Sequence, residues 1–302
     1  MRIRSQQAAD LPPSVRVIPV RGADIEPSRL GDLLMAEGAL TAAQTEHVLR
    51  AQRVSGERFG DTAVTLGFTS RDMIDRALAK QFDFSIASPG EGRLHASLVT
   101  ARGAQGRSSE LIRSLRAKLW HELSARGDGP HVVTVISLTG QVGRRLIVAN
   151  LAIAFAQANI RTVVVDADLR AGSLHKLFDA PNDTGLSTFL AGRQSTPTLI
   201  PISEIDNLAV NPAGPLPPNP AELLSRLPDN LDAIRRAWDA RIVLLNTPPL
   251  DATDDAYLVA AAAPAALLVA RRSFTRSRPL AAVGRRLASD NINVIGSVLN
   301  VA

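Results

Sequence analysis

The sequence of 302 residues is 45% hydrophobic, which is enough for one large core and a second, smaller unit, and this excludes a disordered or fibrous chain. The absence of cysteine excludes a disulfide framework and a thiolate metal site, and the five histidines show no metal-ligand spacing. Although the formal net charge is +5, the arginines are spread through helical stretches without interleaved aromatics, which disfavours a nucleic-acid partner.

Neither a signal peptide nor a membrane span is predicted. The longest apolar run, 258–270, is too short to cross a bilayer and contains Pro264, and the N-terminus lacks an apolar signal core. We therefore expect a soluble, cytoplasmic protein. Residues 1–24 contain adjacent prolines and no sustained periodicity, so they are predicted to form a loose leader.

Residues 25–84 have a helical pattern that occurs twice. The segments 29–52 and 58–81 each contain 24 residues and carry Arg, Gly, Asp, Gly, Leu and Gln at matching positions, with five residues between them. Each segment is predicted to form a short helix, a turn at a glycine, a polar N-cap and a second helix. The turn glycines are Gly38 and Gly67, and the N-caps are Thr41 and Ser70.

The composition changes after this repeat. Residues 85–107 combine Pro89 with several glycines and few apolar side chains, which predicts a flexible linker. From residue 108 to 302, short apolar runs rich in β-branched residues alternate with helical stretches. This alternation is typical of a doubly wound parallel sheet that helices cover on both faces, and we predict that α/β fold. The predicted strands are 131–137, 162–168, 208–214, 241–247, 265–271 and 293–300.

The stretch LTGQVGRRLIVANLA, residues 138–152, has the layout of a phosphate-binding loop (P-loop) between the first strand and a helix predicted over 146–158. In such a loop, backbone N–H groups surround the phosphates, a lysine neutralises their charge, and the next hydroxyl binds Mg²⁺. Here Gly143 is followed by Arg144 and Arg145 instead of a lysine and a hydroxyl. The loop therefore predicts a P-loop fold with an altered site.

Four blocks resemble those of the bacterial tyrosine kinases of polysaccharide export, the BY-kinases, over roughly residues 108–302. Three of them are VVVDADLRAGSLHKLF, GPLPPNPAELL and RIVLLNTPPL, in the order of that family. The fourth contains Glu110, Arg113 and Arg116 in the helix before the first strand, and it resembles the family's ring-forming motif. The resemblance implies a homo-oligomer formed through these three residues. It also implies a membrane-embedded polysaccharide co-polymerase, or chain-length subunit, as partner.

The same resemblance identifies the site residues that have changed. Asp166 and Asp168 match the carboxylates of the family's second motif, whereas the carboxylate expected before Thr-Pro-Pro is Asn246. Because Arg144 replaces the lysine and Arg145 replaces the metal-binding hydroxyl, three changes converge on one Mg²⁺ site. We therefore predict a degenerate nucleotide site in which ATP and Mg²⁺ are disfavoured, no catalytic set is intact and no metal is held.

Two aspartates without a cation would repel each other, so we expect the guanidinium of Arg145 to point toward Asp166 or Asp168. The only tyrosine, Tyr257, lies in a helical stretch, and the C-terminal tyrosine cluster that BY-kinases phosphorylate has no counterpart in this sequence. These features predict a catalytically inactive regulator or scaffold of exopolysaccharide biosynthesis, which its partner recruits to the inner membrane.

Two other functions stay open at this point. The first is an active ATP-dependent tyrosine autokinase or ATPase whose site has drifted. The second is a MinD- or ParA-like positioning protein, whose loops resemble this one less because they carry a signature lysine that is absent between Ser137 and Arg144.

The tandem repeat resembles the MshEN domain, which binds cyclic di-GMP through two 24-residue motifs separated by five residues. The resemblance implies one bound cyclic di-GMP, with arginines on guanine and phosphate, glycines at close backbone approaches and glutamines as amide donors. The predicted ligand-binding residues are Arg29, Leu30, Gly31, Gly38, Gln52, Arg58, Phe59, Gly60, Gly67 and Gln81. A helical docking module without a ligand is the alternative, which the departures at Phe59, Thr62 and Thr69 of the second copy favour.

Overall fold

The computed structural model describes residues 30–81, 93–102 and 106–301, which form a helical unit and an α/β unit. The helices of the first unit are α1 (Leu30–Ala36), α2 (Ala42–Ser55), α3 (Phe59–Thr65) and α4 (Arg71–Gln81). The helices of the second are α5 (Arg107–Ser124), α6 (Arg144–Gln157), α7 (Leu186–Leu190), α8 (Pro220–Leu224), α9 (Leu227–Ala237), α10 (Asp255–Ala260) and α11 (Ser277–Ser289). Its strands are β1 (His131–Ser137), β2 (Thr162–Asp166), β3 (Ile200–Pro201), β4 (Leu208–Asn211), β5 (Ile242–Asn246), β6 (Ala265–Arg271) and β7 (Asn293–Asn300). Within these described ranges, no helix is long and apolar enough to cross a membrane.

The two copies of the repeat pack crosswise in the helical unit. The short helix α1 of the first copy contacts the long helix α4 of the second, and the long helix α2 contacts the short helix α3. Their apolar faces meet in a small core of Leu34, Leu40, Val48, Ala63, Ile74 and Ala77. Each copy therefore buries its apolar face against the other, as expected for a repeat that cannot form a core alone.

The turns and caps that the repeat predicts are confirmed. Gly38 and Gly67 have φ angles of 71° and 69°, which glycine adopts without a Cβ clash. Thr41 caps α2 in a capping box, because its hydroxyl accepts the backbone N–H of Gln44 at 3.3 Å while its own N–H donates to the Gln44 side chain at 2.8 Å. The hydroxyl of Ser70 accepts an N–H at the start of α4, also at 3.3 Å.

The α/β unit is built on one seven-stranded sheet with the order β3-β4-β2-β5-β1-β6-β7. All its pairings except β3 with β4 are parallel, and apolar cores lie on both faces, so the predicted doubly wound fold is confirmed. All six predicted strands are present. The two-residue strand β3 was not predicted, because a segment that short and containing a proline has no period-2 pattern.

Helix α6 lies between the sheet and α5, and twelve of its fourteen residues are buried. Every residue from Ile147 to Gln157 is buried, which fits a mainly apolar helix in this enclosed position. It begins at Arg144, two residues before the predicted start. The P-loop therefore leads directly into a helix that cannot shift without disturbing the core.

Residues 93–102, which we call the strap, are not a flexible linker. Leu94, Leu98 and Ala101 are buried in the core that contains α6. The prediction is wrong for this part of 85–107 because its apolar residues form only a short run between glycine-containing flanks, which is too short to give a sustained periodic pattern. The strap belongs to the α/β unit, whereas the predicted leader, 1–24, lies outside the described residues.

Two buried polar side chains of α6 bind the strap backbone, whose second half forms a 3-10 helix, Val99–Arg102. The side-chain oxygen of Asn150 accepts the N–H of Thr100 at 2.9 Å, and the side-chain nitrogen of Gln157 donates to the Thr100 carbonyl at 3.0 Å. These bonds satisfy backbone groups that a short buried segment leaves unpaired. They explain why an otherwise apolar helix contains an asparagine and a glutamine.

Candidate nucleotide site

The predicted P-loop lies at the carboxyl end of the central strand β1. Gly143 has a φ of 81°, and a Cβ there would lie 2.6 Å from the side-chain nitrogen of Asn300, so the loop needs glycine at this position. The neighbouring strands β2 and β5 end side by side, with Asp166 opposite Asn246. Because the carboxyl ends of parallel strands meet at one sheet edge, the loop and these polar groups come together as the sequence predicts.

The side chain of Arg144 fills the space between these groups and is only 5% exposed. Its guanidinium donates through Nη1 to the Ser137 hydroxyl at 2.7 Å and through Nε to Oδ1 of Asn246 at 3.1 Å. Nη2 donates to Oδ2 of Asp168 at 3.5 Å. Burial lowers the pKa of Arg144, and the nearby Asp168 and Asp166 oppose that effect. The guanidinium remains charged, because arginine does not lose its proton in proteins.

Asn246 joins this cation to the carboxylates. Its Nδ2 donates to Oδ1 of Asp166 at 2.9 Å, while its Oδ1 accepts from Arg144. The orientation of the amide follows from these two neighbours, one a donor and the other an acceptor. A neutral amide satisfies both, whereas an ionised carboxylate has no donor for Asp166. The residues at positions 144 and 246 are therefore chemically matched.

Asp166 organises the chain that follows β2. It is fully buried, and its Oδ2 accepts the backbone N–H groups of Ser173 and Leu174 at 2.9 and 2.8 Å. Its Oδ1 accepts from the Asn246 amide. Both oxygens are therefore satisfied by groups of the protein itself, so the carboxylate has a structural role in this arrangement.

Asp168 is held less well than Asp166. Burial raises the pKa of the Asp168 carboxyl, and the neighbouring Asp166 raises it further, whereas Arg144 and backbone N–H groups act in the opposite direction. The 3.5 Å distance to Arg144 is long for a charged pair, which explains why the guanidinium does not offset burial fully.

Arg145 does not take the position that the sequence predicts. Its side chain is exposed and donates to the hydroxyl of Ser173, while Arg144 contacts Asp168. The prediction that Arg145 faces the aspartates is wrong. Consecutive side chains leave a helix about 100° apart, so only one of two adjacent arginines can face the strand ends.

The arrangement does not fit a bound Mg²⁺. Mg²⁺ requires a near-octahedral set of oxygen ligands, and the group between Asp168 and Asn246 is a guanidinium, which would repel a second cation. Across residues 30–81, 93–102 and 106–301, no cluster of three or more His, Cys, Asp or Glu side chains is placed to hold a metal ion. The charge that a metal would supply comes from Arg144.

Relatives of this chain are found among tyrosine-protein kinases, although no protein-family model matches it. The tyrosine-protein kinase Ptk of Acinetobacter johnsonii is 33% identical over 193 residues, which are 63% of this chain and 26% of that protein. The kinase domain of the Escherichia coli tyrosine kinase Etk is 30% identical with a TM-score of 0.58, and the match covers 63% of this chain and 74% of that domain. The chain belongs to the bacterial tyrosine kinase family.

The likeness extends to a second solved structure, the BceF tyrosine kinase domain. It is 25% identical with a TM-score of 0.59, and the match covers 76% of this chain and 89% of that one. The chain spans about a quarter of the length of the curated BY-kinases that it matches, at 26% of the first of them. The common part therefore corresponds to a BY-kinase domain and not to a whole BY-kinase.

The residues predicted to form the BY-kinase oligomer interface lie on α5. Glu110 is exposed, and the adjacent Leu111 is 62% exposed. Arg113 and Arg116 are half-buried, and burial lowers the pKa of both guanidinium groups. Glu110 thus faces outward, whereas Arg113 and Arg116 lie at the edge of the surface through which α5 packs on the α/β unit. Their role in an oligomer remains a prediction.

The predicted cyclic di-GMP-binding residues separate into packed and exposed groups. A Cβ at Gly31 would lie 3.2 Å from the Thr45 methyl, and one at Gly60 would lie 2.9 Å from a methyl of Ile74. We expected Gly31 and Gly60 to let a ligand approach the backbone closely. Side chains of the neighbouring helices occupy that space instead. Arg58, in contrast, is exposed, and its side chain has no hydrogen bond or ion pair with any residue that the structure describes.

The other members of that set are placed as follows. Leu30 and Phe59 pack partly buried against the small core, Gln52 is half-buried, and Gly38 and Gly67 form the turns, while Arg29 and the side chain of Gln81 lie outside the described residues.

Two residues of the candidate nucleotide site, Ser137 and Ser173, were not predicted from the sequence. Ser137 accepts from Arg144 and donates to the Thr139 carbonyl at 2.9 Å, and Ser173 contacts both Asp166 and Arg145. Ser137 directly precedes the P-loop, which is a usable signal. Ser173 has no comparable signal, because a serine after a strand is common in loops.

Proposed function

We propose that this BY-kinase-family chain is a catalytically inactive regulator or scaffold of exopolysaccharide biosynthesis and export. The observation that carries the proposal is the buried guanidinium of Arg144, bound to Ser137, Asn246 and Asp168. Phosphoryl transfer requires a metal that neutralises charge on the phosphates, together with acidic groups that hold this metal. Here an arginine already neutralises those acidic groups. On this proposal, the family's ATP and Mg²⁺ are not bound productively.

In a scaffold role, the BY-kinase fold holds other proteins together and hydrolyses no ATP. The named relatives are kinases, and we place polymer export itself on a separate partner, as the resemblance to BY-kinases implies. That partner is a membrane-embedded polysaccharide co-polymerase, which brings the chain from the cytoplasm to the inner membrane. Homo-oligomers form through Glu110, Arg113 and Arg116.

Isothermal titration calorimetry with ATP, with and without Mg²⁺, tests the inactive site. We expect no saturable Mg²⁺-dependent binding by the unmodified protein. The triple variant Arg144→Lys, Arg145→Ser, Asn246→Asp should regain more binding than any single reversion, because the three groups act on the same phosphates and metal. Adding Asp166→Asn to the triple variant should remove the regained binding.

The enzyme alternative has its own readout. Mg²⁺-dependent ATP hydrolysis by the unmodified protein, or phosphorylation of Tyr257, that Asp166→Asn abolishes would establish an active ATPase or autokinase. Either result would overturn the proposal.

We also propose that residues 25–84 bind one cyclic di-GMP. The reciprocal packing of the two copies supports this, because a ligand with two guanines and two phosphates is met by two copies of one surface. The exposed side chain of Arg58 supports it further, since a guanidinium can stack on guanine while contacting phosphate.

Titration of the full chain with cyclic di-GMP tests this second proposal. We expect saturable binding that is lost in the double variant Arg29→Ala, Arg58→Ala. The matched control is Arg53→Ala, which removes an exposed arginine from the five residues between the copies and should leave binding unchanged. No binding by the unmodified chain would favour a docking module without a ligand. Undiminished binding by the double variant would show that cyclic di-GMP is not held by Arg29 and Arg58 and would equally overturn the proposed site.

A further inference from the structure

The excess positive charge of this protein is concentrated in one segment. Residues 271–290, which comprise the last residue of β6, the loop after it, helix α11 and Asp290, contain six of the 34 Lys and Arg residues but only one of the 29 Asp and Glu residues. The net charge of this segment is +5, equal to the formal net charge of the whole chain. The net positive charge therefore lies in this segment, although arginines occur in helical stretches throughout the chain, and the remainder of the chain is balanced.

Two of the three arginines of helix α11, Arg278 and Arg285, are directed away from the protein. Val283 and Leu287 are buried and fix the inward face of the helix. Arg278 and Arg285 are seven residues apart, so they lie on the same face two turns from each other. That face is opposite the buried one, and both arginines are exposed.

Most of these arginines have no partner within the described part of the chain. Within residues 271–290, the exposed guanidinium groups without a hydrogen bond or ion pair to another described residue are those of Arg272, Arg276, Arg278 and Arg285. Together with Phe274 we call them the basic surface. The neighbouring Arg286 differs, because it pairs with Asp254 at 3.5 Å and lies 3.7 Å from the centroid of the Tyr257 ring. Four cations are thus available to an external anion.

The basic surface also carries an exposed apolar ring. Phe274 lies in the loop between Arg272 and Arg276 and is 49% exposed. An aromatic ring beside cations matches the interface of a bilayer, where rings enter the headgroup level and guanidinium groups bind phosphates.

We propose that the basic surface docks this protein directly on a bilayer that contains anionic phospholipids. Arg278 and Arg285 contact the headgroups, and Phe274 enters the interface. An exposed aromatic ring among cations without partners favours an anionic bilayer over nucleic acid, because an apolar ring is buried at the headgroup level, whereas phosphates alone leave it in water. This contact is independent of the co-polymerase, and it depends on the lipid composition.

Sedimentation of the full chain with vesicles tests the proposal. We expect binding to phosphatidylcholine vesicles that contain phosphatidylglycerol and none to vesicles of phosphatidylcholine alone. Binding should weaken with salt, since the screening length falls from about 10 Å at 0.1 M to about 3 Å at 1 M. The salt dependence of the unmodified protein tests the proposal without any substitution.

Matched variants locate the contact. The double variant Arg278→Ala, Arg285→Ala should lower vesicle affinity roughly 30-fold, because each arginine near an anionic surface changes affinity about fivefold. The control is Arg126→Ala, Arg193→Ala, which removes two exposed arginines from elsewhere in the unit and should change affinity far less. Phe274→Ala should lower affinity while leaving the salt dependence unchanged.

Three results would overturn the proposal. Equal binding to both kinds of vesicle would show that headgroup charge is not recognised. Equal losses in the two double variants would show that net charge, and not this surface, determines binding. Displacement from vesicles by duplex DNA at equal phosphate concentration, through the same two arginines, would identify the surface as a nucleic-acid site instead.

Discussion

The Nε atom of Arg144 lies 3.1 Å from the side-chain oxygen of Asn246, and the other end of the same amide donates to Asp166 at 2.9 Å. Two residues that depart from a nucleotide-binding pattern therefore satisfy each other. The guanidinium of Arg144 requires an acceptor, which the side-chain oxygen of Asn246 supplies. The carboxylate of Asp166 requires a donor, which the side-chain nitrogen of Asn246 supplies. Reverting Asn246 alone to aspartate should therefore be harmful, because Asp166 would lose its donor.

Replacing the amide alone tests this relationship. Asn246→Asp should lower the free energy of unfolding by about 1–3 kcal/mol, because Asp166 loses its donor and meets a third buried carboxylate. Chemical denaturation at neutral pH measures the loss. It should shrink in acid, where one carboxyl group takes up a proton, and a variant as stable as the parent at pH 7 would contradict the matching of these two positions.

Removing each arginine in turn identifies the internal cation. Arg144→Met should destabilise the fold by about 3–5 kcal/mol, since it leaves buried carboxylates without their guanidinium. Arg145→Met serves as the matched control and should change stability by about 0.5 kcal/mol or less, because Arg145 is exposed. Thermal unfolding of both variants decides between them, and similar losses would argue that the two arginines share the role.

The raised pKa of Asp168 predicts a pH dependence. Because the folded-state pKa lies above the ordinary value of 3.8, the folded protein holds this proton more tightly than the unfolded chain. The contribution of Asp168 to stability is therefore fully present below the unfolded pKa and is lost as pH rises through the folded pKa.

Asp168→Asn removes this titration. The stability of the variant relative to the parent should therefore increase as pH rises from about 4, and level off above the folded pKa of the parent. Urea unfolding at a series of pH values measures the difference. A relative stability that falls over this range would show that Arg144 outweighs burial and lowers the pKa.

Two leucines test whether the strap is part of the fold. Leu98 is fully buried in the core with α6, whereas Leu111 is 62% exposed on α5. Leu98→Ala should cost about 2–5 kcal/mol through lost burial and a cavity, and Leu111→Ala about 0.5 kcal/mol or less. Equal and small effects on the unfolding midpoint would restore the linker interpretation.

Much of the fold follows from local patterns. The six predicted strands form because continuous β-branched runs bounded by turn residues have few alternatives to a buried parallel sheet. The helical repeat follows equally well, since Gly38, Gly67 and Thr41 specify turns and a cap through their own backbone chemistry. The strap could not be predicted in this way, because Leu98 gains its meaning only from α6, about fifty residues later in the chain.

The sequence by itself determined where the nucleotide site lies and that its charges had changed, because a glycine before a helix and polar residues at strand ends are local signals. Only the tertiary structure decided which arginine replaces the cation. Arg144 and Arg145 are equivalent in composition, but their side chains leave α6 about 100° apart, and only one direction leads to Asn246 and Asp168. The same geometry places Arg278 and Arg285 of α11 on one exposed face, because Val283 and Leu287 fix the opposite face in the core.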